Sequence, residues 1–67
     1  MFQIKKINQF PISFNGKDTI LAECQKTEEI PSKLKEIGFE KCKTKIVNGT
    51  KVYYKGKTNA VYITYIN

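Results

Sequence analysis

Sixty-seven residues make one small domain, with room for a modest core and none for a deep substrate cavity beside it. The net charge is +6, every cation is lysine, and histidine, arginine and tryptophan are absent. The usual general base at neutral pH is therefore missing, no catalytic set can be assembled, and a non-enzymatic protein is expected. No apolar run approaches membrane-spanning length and no secretory apolar region follows the N-terminus, so the expected setting is cytoplasmic, away from membranes.

Phe2 and Ile4 alternate with Gln3 and Lys5, which predicts a strand over 2–7 with a break near Lys6 and Ile7. Phe10, Ile12 and Phe14 alternate again and predict a second strand. Pro11 lacks an N–H and confines it to an edge or a bend. Asn15-Gly16 is a turn signal. Residues 18–28 read two ways. Thr19 to Cys24 can return as a strand, or Asp18 can cap a helix whose apolar stripe is Ile20, Leu21 and Cys24. The strand is preferred because a turn signal precedes it.

The clearest helix spans about 31–37. Pro31 suits its first turn, Leu34 and Ile37 share a face, and Gly38 fits a left-handed end. Glu28 and Glu29 favour its N-terminal side. Phe39 is expected to dock the helix end on the sheet.

Cys42 to Ile66 reads as a three-stranded antiparallel meander, the organising part of the chain. Asn48-Gly49 marks the first hairpin. A three-residue loop, Val47-Asn48-Gly49 with Gly49 left-handed, sorts apolar from charged residues better than a two-residue loop. It predicts Ile46, Val52, Tyr54, Val61, Ile63 and Tyr65 inward, with Lys41, Lys43, Lys45, Lys51, Tyr53 and Lys55 outward. Tyr62 then joins the lysine face. The expected fold is α+β: a small antiparallel sheet ending in the meander, with one short helix packed on one face. A second helix at about 18–28 is the alternative to the strand there.

Charge is unevenly distributed. Residues 18–40 hold all six carboxylates, and residues 41–67 hold six lysines and no acid. A basic sheet joined to an acidic middle favours an anionic partner on the sheet side. The abundance of lysine, isoleucine and asparagine is also what an AT-rich genome would encode. Cys24 and Cys42 lack the paired spacing of a zinc site, so no metal or cofactor is expected, and both read as reduced thiols.

The candidate binding set is Lys43, Lys45, Lys51, Tyr53, Lys55 and Tyr62. Lysines can follow a phosphate backbone and tyrosines can stack on bases, as on single-strand binders. The same pattern also suits the solvated face of a sheet, where lysines discourage edge-to-edge aggregation. The segment LKEIGFEKCKTKIVNGTKVYYKGK resembles small RNA-binding α-β-β-β units, including HicA-type toxins, over about a third of the chain. The catalytic histidine of those toxins has no counterpart here.

Two functions are expected from these features. One is nucleic-acid binding, to DNA or RNA, with little sequence specificity. The alternative is a small phage- or plasmid-type regulator, anti-CRISPR-like, that inhibits a nucleic-acid-processing enzyme. It would use the acidic segment of Glu28, Glu29, Glu36 and Glu40, or the sheet face against an acidic patch. An open strand edge would also suit dimerisation.

Overall fold

The computed structural model describes residues 1–14 and 17–67. Its elements in chain order are β1 (Phe2–Lys6), β2 (Thr19–Cys24), a 3-10 turn (Thr27–Glu29), α1 (Ile30–Glu36), β3 (Lys43–Val47), β4 (Thr50–Tyr54) and β5 (Ala60–Tyr65). The strands form one antiparallel sheet in the order β2-β1-β5-β4-β3, which makes the protein a small α+β fold. No helix is long and apolar enough to cross a membrane.

The central strand is β5, AVYITY, whose β-branched and aromatic residues suit a position with neighbours on both sides. Its first three residues are buried. β1 pairs with it along its whole length, from Phe2 opposite Tyr65 to Lys6 opposite Val61. Residues 19–24 form the strand preferred above, not a helix. Ile4 lies opposite Ala22 and Lys5 opposite Ile20, so Leu21 is an extra residue at a bulge.

Both faces of the sheet are covered. On one, Ile4, Val61, Leu34 and Phe39 form a buried cluster beneath α1. On the other, Ile7, Val52, Ala60 and Tyr62 are buried against Phe10, Ile12 and Phe14. This corrects the expected strand at 10–14. The Phe10–Pro11 bond is cis and residues 9–12 turn. The neighbouring positions of β1 are already taken by β2 and β5, so its apolar residues lie across the sheet instead of extending it. The Asn15-Gly16 turn signal falls outside the described residues.

Residues 27–36 build from the N-terminal side. The Glu29 carboxylate accepts the backbone N–H groups of Gln25 and Lys26 at 2.9 and 3.1 Å. These bonds, first Lys26 and then Gln25, hold its carboxyl below the usual carboxylate range. Pro31 sits in the first helical turn. The helix ends where Gly38 adopts φ +86°. Phe39 N–H donates to the Leu34 carbonyl at 2.8 Å and Gly38 N–H to the Lys35 carbonyl at 3.1 Å, the paired bonds of a Schellman end. That end delivers Phe39, 4% exposed, into the core beside Leu34. Seven residues are too few for a helix to be stable alone, so docking holds it.

The β3–β4 hairpin has a two-residue turn, not the expected three-residue loop. Val47 lies opposite Thr50, with Asn48 at φ 49° and Gly49 at φ 80°, the pattern of a type I′ turn. The expected inward set therefore divides. Val52 and Tyr54 lie on the loop-covered face with Ala60 and Tyr62, while Val61 and Ile63 lie under the helix. Ile46 is 64% exposed and Tyr65 59% exposed. The expectation treated the sheet as one-sided, whereas two covers bury parts of both faces. Gly49 is left-handed as expected, and a Cβ there would meet nothing within 4 Å. Gly49→Val should thus act through backbone strain alone and cost about 1 kcal/mol or more, read as a lower urea midpoint.

Candidate functional site

Alternation along β3 places Lys43 and Lys45 on the face that also carries Val52 and Tyr54. Lys43 is the ladder partner of Tyr54, the last residue of β4. At this end of the sheet the chain enters β3 through residues 40–42 and leaves β4 through residues 55–57. An open groove of about 760 Å³ lies between these segments. Lys41, Lys43 and Lys45 line one side and Lys55 and Lys57 the other, with Tyr54 among them. The turn after Tyr54 is closed by Lys55 N–H donating to the Asn59 carbonyl at 2.8 Å.

Five lysines thus line one groove with a single carboxylate, Glu40, on its lining, and the Lys55 ammonium rests beside Gly38 at the end of α1. Glu40 lies 4.0 Å from the Lys35 ammonium, at the helix side. Among the described residues, none of the five lysines is within ion-pair distance of a carboxylate. Like charges gathered this way repel in the free protein and attract anions from solution. Lys41 has φ 58°, a left-handed conformation that costs a non-glycine residue about 1–2 kcal/mol.

The sequence-derived set is brought together only in part. Lys43, Lys45 and Lys55 line the groove. Lys51 and Tyr53 lie on the helix-covered face, with the Lys51 ammonium 5.3 Å from the Tyr53 ring centroid. Tyr62 is on the same face as Lys43 and Lys45, but it is 7% exposed under the loop. Phe14 meets its ring edge-on at 4.8 Å, and its hydroxyl donates to Asp18 at 2.8 Å. Tyr62 is a core residue and offers no free stacking surface. Lys41, Lys57 and Tyr54 complete the groove and were not in that set. The signal for them was present: a two-residue Asn48-Gly49 turn pairs Lys43 with Tyr54 and sets Lys55-Gly56-Lys57 beside Lys41.

The carboxylates named for a protein-binding surface are mostly engaged close to home. Glu29 holds backbone N–H groups, Glu36 lies 3.7 Å from Lys33, and Glu40 faces Lys35. Both cysteines are free, Cys24 Sγ donating to the Lys26 carbonyl at 3.6 Å and Cys42 Sγ to the Phe39 carbonyl at 3.2 Å. Among the described residues no three potential metal ligands converge. Compared with protein-family models, curated proteins and solved structures, the chain matches none of them.

Proposed function

We propose that this protein binds nucleic acid without catalysing a reaction, holding backbone phosphates in the lysine groove. The observation that carries the reading is the convergence of Lys41, Lys43, Lys45, Lys55 and Lys57 on one groove without paired carboxylates. Lysine supplies a point charge and lacks the fork with which arginine reads guanine. Contacts of this kind position a phosphate backbone and carry little sequence preference.

The test is fluorescence anisotropy of labelled oligonucleotides across a salt series. With about five lysines engaged, log K should fall against log salt with a slope near −3.5 for single strands. The Lys43→Glu, Lys45→Glu double change should weaken binding at least about tenfold. Both side chains are exposed, so the fold should persist. Lys51→Glu, on the other face, should change affinity little. Absence of binding at about 50 mM salt would overturn the reading, as would an affinity that ignores the double change.

A further inference from the structure

We propose that the groove takes a single strand and not a duplex, seating one base against Tyr54 while phosphates run along Lys41, Lys43 and Lys45. This rests on the nucleic-acid reading above and names the form of ligand that the same site accepts.

Three features carry it. First, Tyr54 is half-buried and is the ladder partner of Lys43 on the same face. A ring and a lysine anchored at paired positions on one face suit a base and its own phosphate. Stacking on an aromatic ring needs a base outside a duplex, since inside one both faces are covered by the neighbouring bases of the stack. Second, Lys43 and Lys45 are two residues apart on one strand, which spaces them about 6.7 Å along it. That is the span of one nucleotide in an extended strand. Lys41, in the turn before β3, joins the groove lining with a left-handed backbone, the kind of local strain that a binding role can account for. Third, the groove of about 760 Å³ has the size of a small-molecule cleft. It accommodates a few unpaired nucleotides.

Elements that enter duplex grooves are helices or projecting ribbons. Here α1 has seven residues and follows Glu28 and Glu29, and the hairpin tip, Ile46 to Thr50, carries no cation.

The experiment compares labelled oligo(dT) with a mixed-sequence duplex of the same length, at low salt, for the wild type, Tyr54→Phe and Tyr54→Leu. The single strand should bind at least about tenfold tighter than the duplex. Tyr54→Phe should retain that preference. Tyr54→Leu keeps apolar packing against the loop but removes the ring, and should weaken single-strand binding about tenfold while leaving duplex binding unchanged. Urea unfolding of each variant checks that the fold is kept, and if Tyr54→Leu unfolds, Tyr54→Met takes its place. Equal affinity for the two ligands would overturn this inference while leaving the nucleic-acid reading standing. So would a folded ring-less variant with undiminished single-strand binding. Binding to neither ligand would remove the reading itself.

Discussion

Phe39→Ala should lower the unfolding free energy by about 3–5 kcal/mol, the range for removing a buried phenyl ring. A domain of this size has roughly 3–10 kcal/mol in all, so the variant should be largely unfolded at 37 °C. The expected effect is large because Phe39 serves two structures at once. Its ring lies with Leu34, Ile4 and Val61 in the cluster between helix and sheet. Its backbone N–H closes the helix by bonding the Leu34 carbonyl. Alanine keeps the second role and loses the first, leaving a helix of seven residues with little to dock against. Urea unfolding followed by circular dichroism reads the result. A midpoint within error of the wild type would show that α1 does not depend on this contact. Lys43→Ala, an exposed lysine, should move the midpoint by under about 0.5 kcal/mol and serves as the control.

The second large effect is expected at Asp18, which is 8% exposed. One carboxylate oxygen accepts the Asn8 N–H at 3.1 Å and the other accepts the Tyr62 hydroxyl at 2.8 Å. Asp18→Ala leaves both donors without that acceptor and should cost about 2 kcal/mol or more. The same contact gives a pH signature. Burial first, then the Asp18 hydrogen bond and charge, push the Tyr62 hydroxyl from 10.0 up to about 12. A raised value means that the folded state holds this proton more tightly than the unfolded chain. The contribution is therefore complete below pH 10 and lost as pH rises from 10 to about 12. Urea midpoints measured across that window should fall more steeply for the wild type than for Tyr62→Phe. Parallel curves would show that the hydroxyl is not held by Asp18.

Much of this fold is legible in the residues. The meander follows from alternation and the Asn48-Gly49 signal, and the helix from Pro31, the Leu34–Ile37 spacing and Gly38. The illegible part has one physical source. Alternation tells which residues share a face but not whether a face is wet. Assigning all burial to one face forced a three-residue loop, which shifted the hairpin register by one and moved Tyr54 inward with Val61. The cover on the second face comes from Phe10, Ile12 and Phe14, whose alternation reads locally as a strand. Only the tertiary competition for the flank of β1 decides otherwise. Hence Lys43 and Lys45 lie on the groove lining together with Tyr54, which a one-sided sheet would turn inward, while Tyr62, expected on the surface, is buried.

The pairing of β1 with β5 bears on how the protein is made. Ile4 sits opposite Ile63, and Met1 exchanges hydrogen bonds with Ile66. The centre of the sheet is thus assembled from the two most distant stretches of the chain. A nascent chain that has emerged only through Tyr54 holds two separate hairpin-like pieces with no strand between them. Their inner edges and both apolar clusters stay open to water until Ala60 to Tyr65 arrives. Such non-local closure is slow compared with helix formation, and exposed edges on an unfinished chain are prone to pair with the wrong partner. Because β5 is the last strand of the sheet in chain order and lies at its centre, its arrival converts two open fragments into one domain.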